Sequence, residues 1–247
     1  SFLYKNIDTI ICITKAVENQ IHNFIPSKIR PKTITLYLGA KNPPHISKNE
    51  LDKFKTSLNI HNEFLIGFIG RINEFKGQHL LIEALRILKP KNLNLKAFII
   101  GHPMQESYLK SLENRVKEYR LENTINFIGF TKEPYKFMQI CDVMIMASKN
   151  ETFGLVTIEA MKNQTAVIGS NSGGALEIID DMNTGILFEN QNFVDLAHKI
   201  ELIYNNNDLK HKIALNGKAK ADEMFDNEKH FEILIMILSN LNTKNDY

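Results

Sequence analysis

Glu151 and Glu159, with seven residues between them, bracket a change in the character of the chain. Residues 142–147, Asp-Val-Met-Ile-Met-Ala, form a short apolar run of the kind buried on both faces of a parallel sheet. Ser148, Lys149, Asn150, Glu151 and Thr152 are polar and turn-forming, Phe153 and Gly154 follow, and residues 155–162 are good helix formers without proline. A strand that runs through such a loop into a helix presents free backbone N–H groups and the positive end of a helix dipole at the carboxyl edge of its sheet. An anion is favoured there. Glu159 lies among Val156, Ile158, Ala160 and Met161, and a carboxylate in partly apolar surroundings needs hydrogen-bond donors. The hydroxyls of a sugar would supply them, and Gly154 lets a ligand approach the backbone closely. Taken alone, the two glutamates read more simply as a solvated loop residue and a polar-face helix residue. The remainder of the chain shifts that balance.

Two other loops carry chemistry of a related kind. Gly70, Arg71, Ile72, Asn73, Glu74, Phe75, Lys76 and Gly77 follow an apolar run and precede a helix. Cations held between glycines at a sheet edge suit a diphosphate, with Arg71 as a planar fork and Lys76 as a point charge; a solvated loop with two surface cations is the plainer alternative. The Walker pattern is absent, because Lys76 precedes its glycine and no Lys-Ser or Lys-Thr pair follows, and G-x-G-x-x-G occurs nowhere. Ser170, Asn171, Ser172, Gly173, Gly174, Ala175, Leu176 and Glu177 give a second glycine-rich entry into a helix. It reads either as a phosphate- or sugar-facing helix N-terminus or as an ordinary strand-to-helix turn.

The elements that must hold these loops alternate regularly. Apolar strand-like runs occupy residues 64–70, 95–101, 125–129, 142–147, 165–169 and 185–188, with helical runs between them. In residues 78–89, Leu81, Ala84, Leu85 and Leu88 make one apolar face. The expectation is an α/β fold with a doubly wound parallel sheet and right-handed crossovers, whose ligands lie at the carboxyl ends of the strands. Ahead of it, residues 7–14 and 33–38 read as strands around a helix at 15–24. Residues 41–45, with Pro43 and Pro44, mark a boundary, and a helix over about 49–58 leads into the main body. Residues 193–241 read almost entirely as helix, broken near Asn205, Asn206 and Asn207.

Composition adds limits. The chain has 247 residues and a formal net charge of +2, so charge does not imply nucleic acid. Cys12 and Cys141 sit in separate apolar runs, as buried free thiols in a reducing compartment would. Cytoplasm is the default location. The longest apolar runs are too short to span a bilayer, which leaves peripheral contact with a membrane face open. The first residue is Ser1 rather than methionine, and the expectation is a piece of a longer protein.

Gly70 and Arg71 with Lys76 and Gly77, then residues 151–154 with Glu159, Ala160 and Met161, then Gly173 and Gly174 with Glu177, Thr184 and Gly185, come in that order at successive strand ends. Together they resemble the donor-binding half of retaining nucleotide-sugar glycosyltransferases of GT-B architecture, the glycosyl transferases group 1 family, over residues 64–188. The resemblance implies a Rossmann-like, carboxyl-terminal donor domain over residues 45–225. Residues 1–44 would be a remnant of the acceptor domain with the interdomain linker, and 226–247 a terminal helix returning toward that missing domain. It implies Glu151 beside the donor sugar, Arg71 and Lys76 on the diphosphate, and Glu159 on the ribose hydroxyls. Phe153, Gly154, Leu155 and Gly70 would contact sugar and phosphate, Gly173 and Gly174 would form the second helix entry, and Thr131, between Phe130 and Lys132, would border the base.

The implied partners are a nucleoside-diphosphate sugar and a glycan or lipid-linked acceptor, such as a polysaccharide or glycolipid, with no cofactor. No Asp-x-Asp pair is present and Asp180-Asp181 falls in a turn, so no catalytic metal is expected. His102, in a turn with Pro103, is not expected to be catalytic. Two other readings stay open: a nucleotide-sugar epimerase of the same architecture, and a catalytically silent nucleotide-binding or interaction module. The apolar residues 231–238 read either as a docking face or as an ordinary core helix.

Overall fold

A computed structural model describes residues 6–242 of the chain. It opens with β1 (Thr9–Cys12), α1 (Lys15–Phe24) and β2 (Lys32–Thr35), and the two strands pair in parallel only with each other. Thr14 caps α1, its hydroxyl accepting from the Val17 N–H at 3.1 Å. The strand expected over 33–38 leaves the ladder after Thr35. Tyr37 turns instead onto the rings of Phe153 and Phe225, with centroids 6.2 and 5.8 Å away, so packing on the main body overrides strand propensity. Next come α2 (Lys48–Ser57), β3 (Phe64–Ile69), α3 (Gln78–Leu88), β4 (Leu95–Ile100), α4 (Glu106–Glu118), β5 (Ile125–Gly129), α5 (Pro134–Ile140) and β6 (Val143–Met146). They are followed by α6 (Leu155–Lys162), β7 (Ala166–Ser170), α7 (Ala175–Ile178), β8 (Ile186–Phe188), α8 (Phe193–Asn205), α9 (Asn207–Met224) and α10 (Asn227–Asn242).

Six strands form one parallel sheet in the order β5-β4-β3-β6-β7-β8. This is the doubly wound α/β architecture expected from the alternation of apolar runs. Its central strands are apolar along their whole length because helices cover both faces. One face packs Ile66, Phe68, Val143, Ile145 and Ile168 against α3, α4 and α8. The other packs Leu65, Phe98, Met144 and Val167 against α5, α6 and α9. The apolar face expected on α3 is wider than a stripe: Leu80 and Ile82 are also buried, since α3 lies against both the sheet and α8. Each such side chain contributes on the order of 1.5–3 kcal/mol by burial.

The helical end divides at Asn206, whose side chain caps α9 by accepting from the Leu209 N–H at 2.9 Å. The linker returns to this end, with Ala40 N donating to the Phe225 carbonyl at 2.9 Å. The reading of residues 231–238 as a core helix is not met. Ile235 and Met236 are 62% and 58% exposed, and Phe231, Ile233 and Leu238 are exposed with them, while Ile237 and Leu241 share a cavity with Thr9 and Ile34 of the two-stranded sheet. Cys12 and Cys141 are buried free thiols, as expected, and burial pushes the Cys141 thiol well up.

Candidate donor-binding site

Strand β3 lies beside β6, and the chain winds outward from this pair in opposite directions to β5 and β8. A crevice opens at the carboxyl end of such a switch point. The loops that enter it are those after β3 and β6, carrying Arg71 with Lys76 and Glu151 with Gly154. Asn73 shapes the first loop by accepting from the Lys76 N–H at 3.0 Å, closing a single 3-10 turn. Gln78, fully buried, donates from Nε2 to the Arg71 carbonyl at 2.9 Å and holds the peptide after Arg71.

Across the crevice, Lys76 Nζ reaches Glu151 Oε2 at 2.6 Å, and the Ser148 hydroxyl donates to the same oxygen at 2.8 Å. The Arg71 side chain is exposed and has no ion-pair or hydrogen-bond partner among the described residues. Lys76 thus faces the cavity at the start of α6, while Arg71 lines a neighbouring one.

Gly154 caps α6, whose first N–H groups have no partner within the helix. One turn in, Glu159 lies on the same face as Leu155. Its carboxylate is half-buried, and among the described residues no group donates to it. Burial raises the carboxyl above its ordinary range. A desolvated acceptor without a donor is what hydroxyls of an incoming ligand would satisfy.

A cavity of about 320 Å³ lies at the start of α6, lined by Lys76, Ser148, Glu151, Phe153, Gly154 and Leu155 among others, with Glu159 outside its lining. Ile13 and Leu38 from the amino-terminal segment also line it. A second cavity of about 340 Å³, almost wholly apolar, adjoins the first loop and is lined by Gly70, Arg71, His102, Phe130, Thr131 and Pro134. Phe130 is 73% exposed at its rim. The Thr131 hydroxyl accepts from the Glu133 N–H at 3.0 Å, which fixes the turn into α5.

Gly173 and Gly174 lie beneath the Glu151 loop and do not line the cavity. The Gly174 N–H donates to the Glu151 carbonyl at 2.7 Å, and a Cβ on Gly173, where φ is +55°, would lie 2.1 Å from that same oxygen. The helix expected after them is the single turn α7, so the glycine pair braces the loop from below. Glu177, grouped with the glycines in the sequence, turns the opposite way, toward the first turn of α1.

Three participants carried no local signal. Ser148 was visible only as a turn residue, and Ile13 and Leu38 lie over a hundred positions from Glu151; nothing short of the fold joins them to it. Among the described residues no group of three or more His, Cys, Asp or Glu side chains could hold a metal ion, and no helix is long and apolar enough to cross a membrane.

The sequence profile of the Glycosyl transferases group 1 family matches residues 50–220, more than half of the chain. The chain belongs to the glycosyl transferases group 1 family. Among curated relatives in this family, it is 29% identical over 232 residues to the capsular polysaccharide biosynthesis glycosyltransferase CapM of Staphylococcus aureus, covering 91% of this chain and 60% of the relative. It is 28% identical over 231 residues to the N-acetylgalactosamine-N,N'-diacetylbacillosaminyl-diphospho-undecaprenol 4-alpha-N-acetylgalactosaminyltransferase of Campylobacter jejuni, covering 93% of this chain and 59% of that enzyme. The chain therefore spans little over half the length of these group 1 relatives. Among solved structures, Anabaena Alr3699/HepE in complex with UDP-glucose superposes with a TM-score of 0.88 at 26% identity, over 97% of this chain and 66% of that one.

Proposed function

We propose that this chain is the donor-binding portion of a retaining glycosyltransferase that moves a sugar from a nucleoside diphosphate to a polysaccharide, glycolipid or other glycoconjugate acceptor. The observation that carries this reading is the unpartnered, half-buried carboxylate of Glu159, one helical turn beyond the free N–H groups of α6, the helix whose start lines the cavity that also holds the paired Lys76 and Glu151. The ribose hydroxyls donate to Glu159. The diphosphate lies between Arg71, Lys76 and the α6 N-terminus, and Glu151 faces the sugar.

As the bond from the anomeric carbon to the diphosphate oxygen lengthens, negative charge gathers on the leaving group. Arg71, Lys76 and the N-terminus of α6 stabilise that charge. Phe130, an exposed ring at the rim of the apolar cavity, gives the base a face to stack on, with Thr131 at its edge. Uridine is the base this reading favours, since the Anabaena relative was solved with UDP-glucose. No metal is part of the reading.

Calorimetric titration with UDP, GDP and ADP tests it. UDP is expected to bind, more weakly to the Glu159→Ala and Arg71→Ala variants. Binding of no nucleotide by the full-length protein that contains this chain would end the proposal.

A further inference from the structure

Glu177 carries three hydrogen bonds across the widest sequence separations at the site. Its carboxylate accepts from the N–H groups of Lys15 and Ala16, each at 2.9 Å, and from the Tyr37 hydroxyl at 2.9 Å. Those N–H groups belong to the first turn of α1 and have no partner within the helix, so a carboxylate meets both unpaired donors and the positive end of a dipole. Burial and the neighbouring Glu177 carboxylate push the Tyr37 phenol up to about 12, which keeps it a donor. Tyr37 then stacks on Phe153 with an interplanar angle of 23°, and the Thr14 hydroxyl donates to the Thr152 carbonyl at 3.3 Å. On the other side, Glu177 follows Gly174 by three residues, and Gly174 holds the Glu151 carbonyl. Residues 151–154 are thus clamped between α7 below and the start of α1 with Tyr37 above, and the carboxylate of Glu177 joins the two jaws.

We propose that Glu177 is a positioning residue: by seating the amino-terminal β1-α1-β2 unit on the turn after Gly174, it fixes the loop that carries Glu151 and Phe153 in its donor-binding geometry. The proposal rests on the donor-site reading above. Glu177 itself need not touch the nucleotide-sugar. Ile13 and Leu38, which line the donor cavity, flank the segments it holds, so the amino-terminal unit contributes to the cavity wall only while this latch is closed.

The test uses the full-length protein with Glu177→Gln, Glu177→Ala and Tyr37→Phe. Amide hydrogen exchange over residues 14–17 and 151–154 is read together with UDP affinity and thermal midpoint. Losing charge-assisted bonds to this carboxylate is expected to weaken UDP binding by about tenfold in Glu177→Ala and less in Glu177→Gln, which keeps one acceptor oxygen. Exchange should rise over both segments and stay unchanged in β3 and β6. If Glu177→Ala does not fold, Tyr37→Phe, which removes one bond, is expected to show the same two segments loosening and a roughly twofold weakening.

Faster exchange confined to residues 14–17, with 151–154 and UDP affinity as in wild type, would overturn the proposal and leave Glu177 a simple staple. Should wild type bind no UDP, the donor reading fails while the exchange comparison still decides whether Glu177 orders the loop.

Discussion

Lys76 Nζ and Glu151 Oε2 stand 2.6 Å apart, joining the loops after two adjacent central strands across a separation of 75 residues. Both side chains are about a quarter exposed, 29% and 25%. A pair so solvated adds no more than about 1 kcal/mol to stability. Its consequence is geometric: it ties the loop after β3 to the loop after β6 at the crevice, and Arg71, on the first of these loops, has no partner among the described residues.

Replacing Lys76 or Arg71 by alanine is expected to weaken UDP binding by roughly 1.5–3 kcal/mol, the worth of a hydrogen bond to a charged group, or about tenfold to a hundredfold. The thermal midpoint should move little. Calorimetry at low and high salt is the check: the affinity deficit should shrink as salt screens the site. Equal affinity for wild type and both variants would remove the cations from the site.

Glu159 gives a pH signature. Its carboxyl is raised by burial, so between the unfolded value, about 4.3, and the raised folded value the native state binds more protons than the unfolded chain. Stability from this group therefore falls as pH rises through that window. Glu159→Gln should be at least as stable as wild type at neutral pH and should bind UDP more weakly. Wild-type UDP affinity should itself decline as pH drops through the raised value, because the protonated carboxyl accepts hydroxyl donors poorly. Urea melts and titrations across pH 4–7 measure both, and a destabilised Glu159→Gln with normal affinity would contradict the assignment.

Gly173→Ala places a Cβ 2.1 Å from the Glu151 carbonyl oxygen at a φ of +55°. A cost of about 1–3 kcal/mol follows from the strained backbone and the displaced loop, with a loss of UDP affinity, because Glu151 moves. Gly129→Ala is the comparison: φ is +76° there too, yet nothing lies within 4 Å. It should lose some stability and keep its affinity. Identical affinities in the two variants would separate Gly173 from the donor loop.

Phe153→Ala and Phe130→Ala should part company. Phe153 is 3% exposed and packs on Tyr37 and Phe225, so its truncation is expected to cost roughly 3–5 kcal/mol. Phe130, at the rim of the apolar cavity, should alter stability by less than about 0.5 kcal/mol and still weaken binding of a nucleotide through lost stacking. Denaturant unfolding and titration of the same pair decide it.

The periodic framework is legible along the chain. Residues 64–69 and 143–146 are apolar throughout because strands covered on both faces must be. The change from continuous apolar runs to helical spacing after Gly77 and Gly154 located the loops that carry Arg71, Lys76 and Glu151. The order β5-β4-β3-β6-β7-β8 is not written in any one segment, and by placing β3 beside β6 it sets Lys76 against Glu151.

Tertiary structure decided the rest. Tyr37 packs on Phe153 and Phe225 instead of continuing its expected strand, and α10 leaves Phe231, Ile233, Ile235, Met236 and Leu238 exposed. Glu177 could be grouped with its neighbouring glycines from sequence, yet its partners are the amides of Lys15 and Ala16, more than 160 positions away. Local propensity is set by near neighbours and is legible in order along the chain. Charge and hydrogen-bond partnership depend on which distant surfaces the packed sheet brings within 3 Å, and only the folded chain fixes that.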